Sequence, residues 1–430
     1  MTNAYTKELQ VSISAVQLAS LLTKSHLLSH LESQSTTSDV SKGTKAVPEA
    51  TKSDASEVTV ADFASQAVLI HAIHSVFPDD VFIAEEGIEM LKNDKDLCDR
   101  VWELIIGAGQ LSAISALSAL SGNGSGSSEI DGSASVAVGL RLPASKEEML
   151  SAIDLGSRGG LVDSNAKSAR TWILDPIDGT KTYIRAQQYA VCLCLVDHGV
   201  QQVAVLGCPN LRADIDISSG RVQVEESLVD LRLEGGLVVS ALSGQGTYIS
   251  DMAAPSDRIP LEQWLSSQQV LTKTTRPATA NDEKQMPLQF TDSRASPHVS
   301  PVLHDRVFAS FGQSKAHNLW SMQMKYIALT LRAANTDVLI RVPPDESYHA
   351  SIWDHAGGQL LLTESGGALT DATGQEFRLD GCTRKLVDNW GVCAVRGGDF
   401  EGVLTSKQVH NKVLGRVKQE VQSRANEEAD

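Results

Sequence analysis

Val11, Ala15, Leu18 and Leu22 recur at steps of three and four with polar residues between them, which predicts an amphipathic helix near the start of the chain. The same period returns over residues 60–77, where Pro78 stops the helix, and the short apolar run 81–84 predicts a strand ending in Glu85 and Glu86. Residues 171–174 predict another strand, after which Asp-Pro-Ile-Asp-Gly-Thr turns the chain. Two apolar runs, 189–196 and 200–206, are joined by Asp197-His198-Gly199 and read as an antiparallel hairpin. A second hairpin is expected over 236–242 and 246–249, with Gly244-Gln245-Gly246 at its turn. Beyond residue 320 the texture changes to helix (321–335), strand (337–341), helix (352–364) and strand (368–371), the alternation of an α/β half. Val409, Val413, Val417 and Val421 form one apolar stripe in a charged segment, the mark of a surface helix packed on the body.

Three stretches rich in Ser, Thr, Gly, Ala or Pro interrupt this pattern, residues 33–56, 120–138 and 272–301, and are expected to be mobile insertions. Hydrophobic residues make up 42% of the 430 and charged residues 21%, a globular balance. The longest uninterrupted apolar run, 189–196, is far short of the roughly 20 residues a membrane span needs, so a soluble protein with no membrane partner is expected. Net charge is −16 and no Lys/Arg-rich run occurs, which excludes a surface for duplex nucleic acid. An acidic chain that binds a phosphorylated ligand needs metal ions or a local basic pocket to offset repulsion. Six Cys without a CxxC pair give neither a disulfide framework nor a zinc knuckle, and Cys192 and Cys194 read as buried thiols on one sheet face. With no signal-peptide core and no Arg before Arg100, a cytoplasmic location is expected.

Candidate chemistry concentrates in three places. In WILDPIDGT (172–180), Asp175 and Asp178 stand three apart across a Pro-containing turn, so their carboxylates can converge. Gly179 and Thr180 then offer backbone N–H groups to a phosphate at the start of a following helix. Taken alone, the segment reads as an Asx-type turn, and only its pairing with other segments favours a site. Asp354, in SIWDHAGGQLLLTESGG (351–367), occupies a cap or first-turn position, with Gly366 as the stop; alone it is a simple helix cap. Glu85-Glu86-Gly87 follows its strand, and exposed charge is the bland alternative there. Carboxylates held together repel one another and stay partly protonated unless cations bind between them, and hard oxygen donors favour Mg²⁺ over Zn²⁺. His71 and His74 have no third ligand nearby and read as structural.

Together WILDPIDGT, WDHAGG…ESGG (353–367) and AEEG (84–87) resemble the Mg²⁺-dependent, lithium-sensitive phosphomonoesterase superfamily that includes inositol monophosphatase. Within it, KSDASEVTVADFASQ (52–66), DPIDGTKTYIRAQQYAVC (175–192), GCPN (207–210) and residues 321–343 resemble the 3′(2′),5′-bisphosphate nucleotidase branch, so that the likeness covers most of the chain outside the insertions. It implies a layered α/β fold of alternating helix and sheet layers. An N-terminal α+β domain (1–271) would carry most metal ligands, and a C-terminal α/β domain (272–430) would supply Asp354 and the nucleotide-binding side. Glu85, Asp175 and the Ile177 carbonyl would hold one Mg²⁺, and Asp175, Asp178 and Asp354 a second. Asp62 would pair with Thr180 to orient and deprotonate the attacking water, beside a weaker third ion. Lys325 and Arg341 would meet the 5′-phosphate and adenosine side, and His298 the base.

The implied reaction is hydrolysis of the 3′-phosphate of adenosine 3′,5′-bisphosphate to AMP, with 3′-phosphoadenylyl sulfate as a second substrate, by a lithium-sensitive monomer. The chain departs from the branch at Glu57 (usually Pro), Gly87 (Ser), Thr182-Tyr183 (Gly-Phe) and Ala186 (Gly). Gln323 or Met322 replaces a Ser expected two residues before Lys325, with Ser321 nearby, which touches the adenine contacts and leaves the acidic set intact. The alternatives are an inositol polyphosphate 1-phosphatase and a non-catalytic nucleotide sensor.

Overall fold

Two sheets and three layers of helix organise the chain in a computed structural model that describes residues 4–35, 47–51, 57–107, 140–159, 170–216, 221–268, 288–293, 296–379, 383–400 and 403–429. The first sheet has seven strands in sequential order: β1 (Val81–Ala84), β2 (Thr171–Asp178), β3 (Ala190–Asp197), β4 (Val200–Cys208), β5 (Leu237–Leu242), β6 (Thr247–Asp251) and β7 (Ile259–Pro260). Only its β1–β2 pair is parallel. The β3–β4 turn puts both His198 (φ 50°) and Gly199 (φ 78°) in the left-handed region, as a tight two-residue hairpin of this twist requires.

Helices α1 (Thr6–Ser35) and α2 (Val60–His74) cover one face of this sheet, and α3 (Lys146–Arg158) packs on α2 and β1. Alternation along the strands divides the core. Val191, Leu193, Val203, Val205 and Val238 face α1 and α2, while Cys192, Ala204, Leu206, Val239 and Ala241 face the opposite way. Burial on both faces is why these strands read as continuous apolar runs.

The opposite face receives α6 (Met322–Thr330) and α7 (Ala356–Glu364), numbered after the short α4 (Thr180–Tyr183) and α5 (Pro301–Ser310). Met322, Tyr326, Leu329 and Leu362 of this middle layer pack on Leu339, Val392 and Ala394 of a second, mixed sheet. Its strand order is β9 (His317–Asn318), β8 (Phe290–Asp292), β10 (Val338–Arg341), β12 (Val392–Val395), β11 (Ala368–Thr370). Helices α5 and α8 (Ser406–Ala429) close the far side, with Val409, Val413 and Val417 fully buried and Val421 partly so. The result is the expected layered α/β fold. No helix among the described residues is long and apolar enough to cross a membrane.

Several expectations change in detail. Residues 288–293 and 296–301 of the third supposed insertion are built into the second half: β8 is a strand, Leu288 and Phe290 are core, and Pro301 opens α5. Three residues are too few to show an alternating pattern, so the Ser- and Pro-rich flanks masked β8. Of residues 33–56, those at 33–35 belong to α1 and Ala50–Thr51 pairs with Glu57–Val58. The rest of that stretch, except 47–49, and all of 120–138 lie outside the described residues. The helix expected over 321–335 ends at Thr330, because Arg332 turns the chain at φ 53°. That expected over 352–364 divides into a 3₁₀ turn, Ile352–Asp354, and α7, so Asp354 precedes the cap position held by His355.

The paired glycines at the start of α7 have a packing reason. A Cβ on Gly357 would lie 2.7 Å from Leu206, and one on Gly358 would lie 2.5 Å from Gln323 Oε1 and 2.6 Å from Tyr326. Gln323 exploits the close approach: its side chain accepts from Gly358 N (2.8 Å) and donates to the Trp353 carbonyl (2.8 Å). Gly358→Ala should therefore destabilise the protein by about 1–3 kcal/mol in urea unfolding, through overpacking of a dry helix contact; unchanged stability would show that this contact yields freely.

Candidate active site

The site starts where β2 breaks its ladder. Asp175 pairs with Cys192 and Asp178 with Ala190, so the register shifts between them and the expected turn is a bulged strand end. Pro176 has no N–H to give the ladder, and the Ile177 amide turns instead to Asp175 Oδ1 (3.0 Å). Gly179 follows at φ 97°, where a Cβ would lie 2.7 Å from Thr182 Oγ1, and leads directly into α4.

Three carboxylates converge here. One oxygen from each of Asp175, Asp178 and Asp354 lies within 4.8 Å of the others, with Asp175 and Asp178 buried and Asp354 half-buried. Asp178 Oδ2 accepts from the Ser321 hydroxyl and from the Gln323 amide (2.6 Å), so the first turn of α6 holds it. Burial pushes Asp175 well above the usual carboxylate range, and the neighbouring charges of Glu85, Asp178, Asp354 and Asp62 push it further. Burial also raises Asp178, against the pull of Ser321, Gln323 and Lys325. Asp354 is pushed up to about 7 by burial and by Asp178. The group is therefore poised to trade protons for a cation. Its donors are carboxylate oxygens, a set that suits a hard cation such as Mg²⁺, Mn²⁺ or Ca²⁺; the Ile177 carbonyl accepts from Thr180 Oγ1 at 3.3 Å.

Glu85 follows β1 directly and stands outside this trio, yet after burial its charge is the first cause of the raised Asp175. Gln66 of α2 pins the same strand end by bonding both Glu86 N (2.9 Å) and Glu86 O (2.8 Å). Arg384 donates to the Glu85 carbonyl (3.0 Å) while its guanidinium lies 4.7 Å from the Trp353 ring centroid, linking the segments that carry Glu85 and Asp354. Asp62 is buried in a capping box, where Oδ2 accepts from Thr59 N (2.9 Å) and Thr59 Oγ1 (2.6 Å). Its Oδ1 accepts from Thr180 Oγ1 (3.2 Å), so Asp62 and Thr180, 118 residues apart, do meet.

Beside the acidic group lies a cavity of about 390 Å³ whose lining includes Lys181, Ser293, His298, Trp320, Lys325 and Arg341. Lys325 is buried, donating to Ser293 Oγ (2.5 Å) and the Trp320 carbonyl (3.1 Å); burial and Arg341 push its ammonium down to about 8. Arg341 donates to the Tyr348 hydroxyl (3.0 Å), and the His298 ring stacks on Tyr348 with centroids 4.1 Å apart. Acidic group and cationic cavity meet at α6, whose first turn grips Asp178 and whose Lys325 lies one turn on.

Every sequence-predicted side chain thus falls on the bulge, the nearby strand and helix ends, or the cavity wall. Of the two residues that replace the expected Ser, Gln323 spans α6 and α7 and Met322 lines the cavity. Sequence reasoning missed the parts played by Ser321, Ser293, Lys181, Tyr348 and Arg384. Only Ser321 carried a local signal, since a Ser before an apolar run is a cap, and it does accept from Met324 N (3.0 Å).

Comparison with known proteins bears on this arrangement. The model of the inositol monophosphatase family matches residues 141–417, a span that begins after Asp62 and Glu85. 3′(2′),5′-Bisphosphate nucleotidase 2 of Candida albicans is 33% identical over 410 residues, 94% of this chain and 97% of its own. 3′(2′),5′-Bisphosphate nucleotidase of Schizosaccharomyces pombe is 30% identical over 414 residues, 95% and 98% of the two chains. Among solved structures, an IMPase of Thermotoga maritima superposes with a TM-score of 0.50 at 14% identity, covering 97% of this chain and 99% of that one, a likeness of fold.

Because the folded cluster holds protons that the unfolded chain, with carboxylates near 3.9, has lost, its contribution to metal-free stability falls as pH rises from about 4 through 7. A divalent cation competes with those protons. The rise in Tm on adding Mg²⁺ to chelator-treated protein should therefore be larger at pH 8 than at pH 6; an equal rise at both would argue against cation binding at these carboxylates.

Proposed function

Since the chain belongs to the inositol monophosphatase family, we propose that it is a 3′(2′),5′-bisphosphate nucleotidase, removing the 3′-phosphate of adenosine 3′,5′-bisphosphate to give AMP and phosphate. The observation that carries this reading is the junction at α6, where the first turn holds Asp178 of the acidic cluster and Lys325, one turn on, lines the cationic cavity. A ligand with one phosphate at the cluster and a second in the cavity spans that junction. In 3′-phosphoadenylyl sulfate the cavity would receive the sulfated end, so it is the expected second substrate.

The roles proposed for the individual groups are those the family resemblance implies. Glu85, Asp175, the Ile177 carbonyl, Asp178 and Asp354 are the residues that would hold Mg²⁺, two ions with a weaker third toward Asp62. Bound there, Mg²⁺ supplies Lewis-acid activation of water and neutralises charge on the phosphate, and lithium would inhibit by taking one of its positions. Asp62 commits Oδ2 to the Thr59 cap and turns Oδ1 to Thr180. Thr180 Oγ1 therefore orients the attacking water, and Asp62 accepts its proton at Oδ1. The amides of Gly179 and Thr180 receive the scissile phosphate at the start of α4. Arg341 and Lys325 offset the 5′-phosphate, and His298 meets the base. On this reading residues 1–271 form the domain with most metal ligands, and 272–430 the domain with Asp354 and the nucleotide side.

Phosphate release with Mg²⁺ from adenosine 3′,5′-bisphosphate, inositol 1,4-bisphosphate and AMP tests the reading. The nucleotide bisphosphate should be strongly preferred, and Asp175→Asn should lose at least about a hundredfold in rate. Preference for the inositol compound would overturn the substrate, and tight nucleotide binding without release would overturn the enzyme. Thr180→Val should lower kcat by about a hundredfold with KM little changed, while Thr180→Ser retains most of the rate; a rise in KM alone would assign Thr180 to binding.

A further inference from the structure

His298 lines the cavity, and one face of its ring is covered by Tyr348 at 4.1 Å with 20° between the planes. His298 lines the cavity and Tyr348 does not, so the phenol stands behind the imidazole with respect to that space. The same phenol accepts from Arg341 Nη2 at 3.0 Å, with the guanidinium carbon 5.6 Å from its ring centroid. One side chain thus touches a flat ring and a forked cation that both open on the same space. We infer that Tyr348 is the positioning residue for substrate discrimination: it holds His298 as a stacking platform for the base and Arg341 as a fixed fork for the second phosphate.

This inference rests on the nucleotidase reading and adds to it how base and second phosphate are recognised together. His298 sits on a loop just before α5, anchored by Ser296 N to Ser293 O (2.8 Å) and Ser300 N to Val342 O (2.9 Å). An exposed ring on such a loop has several rotamers, and the stack selects one. Partial burial and the charges of Arg341 and Lys385 lower its proton affinity, which keeps the ring neutral for stacking on a neutral base. Arg341, at the end of β10, has one amino group fixed by the phenol and the rest of its fork free to bracket a phosphate. Lys325 also lines the cavity, but two of its three ammonium donors are held by Ser293 and Trp320, so it offsets the second phosphate as a fixed charge while Arg341 supplies the fork. Tyr348 lies in the segment between β10 and the Asp354 turn, so base, second phosphate and acidic cluster are referenced to one short stretch of chain.

Two variants separate the two contacts, assayed as kcat/KM with Mg²⁺ on adenosine 3′,5′-bisphosphate, ribose 3,5-bisphosphate (no base) and adenosine 3′-monophosphate (no second phosphate). Tyr348→Phe keeps the stack and loses the hydroxyl. It should lose about three- to tenfold on both bisphosphates, leave the monophosphate unchanged, and retain the wild-type preference for the base. Tyr348→Leu should in addition erase about tenfold or more of the advantage of the nucleotide over the base-free bisphosphate. Full base preference in the Leu variant, or an equal loss on all three substrates in the Phe variant, would overturn the inference, and the Phe result decides alone if the Leu protein does not fold. A wild-type enzyme that does not prefer the nucleotide over the base-free bisphosphate would remove the nucleotidase reading itself, and this inference with it.

Discussion

Carboxylates that repel one another must be held together by something other than themselves, and much of this fold can be understood as that restraint. Asp175 is tied to its own bulge through the Ile177 amide, and Asp178 is gripped by the first turn of α6. Asp354 arrives on a 3₁₀ turn whose Trp353 carbonyl is bonded to Gln323, and Glu85 is fixed through Gln66 at the next residue and Arg384 at its carbonyl. None of these restraints neutralises the cluster. Burial first, and the neighbouring carboxylates after it, raise the proton affinities of Asp175, Asp178 and Asp354, a cost that a bound cation would relieve.

The middle helical layer lets one helix, α6, serve both sides of the site. Because α6 and α7 pack on the seven-stranded sheet with one face and on the mixed sheet with the other, they transmit position between residues far apart in sequence. Gln323 joins the two helices, and its backbone amide holds Asp178. Small residues at 357 and 358 are the condition for that proximity.

Sequence reading recovered what periodicity and local chemistry encode. Both hairpins, the strand at 81–84, helices α1, α2, α6 and α7 and the valine-striped C-terminal helix were legible from apolar runs or an apolar period, whereas α3 (Lys146–Arg158), whose sequence is mostly polar, was not foreseen. Asp175, Asp178 and Asp354 stood out as acids beside Pro, Gly or aromatic residues. What stayed hidden was non-local. Arg384 reaches the Glu85 carbonyl across 299 positions, and Ser293 meets Lys325 across 32, contacts that leave no spacing to detect. The bulge was read as a turn because Pro-Ile-Asp-Gly satisfies either description until the ladder partners on β3 are known. Strand β8 was lost in low-complexity composition, although Phe290 is wholly buried.

The sheet and its cover are also separated in the order of synthesis. All seven strands of the first sheet are complete once Pro260 is made, but the helices that shield their second face span Met322–Thr330 and Ala356–Glu364. At translation rates of about 5–20 residues per second, the ribosome takes on the order of 5–20 seconds to deliver those helices after the last strand. For that interval the apolar face with Cys192, Leu206 and Val239 has, among the described buried residues, only Leu211, Val222, Val224, Leu261 and Trp264 to pack on, and lacks the cover of α6 and α7. Such a chain depends on its surroundings during manufacture, and the layer that later unites the two halves of the site is the one for which the growing polypeptide must wait.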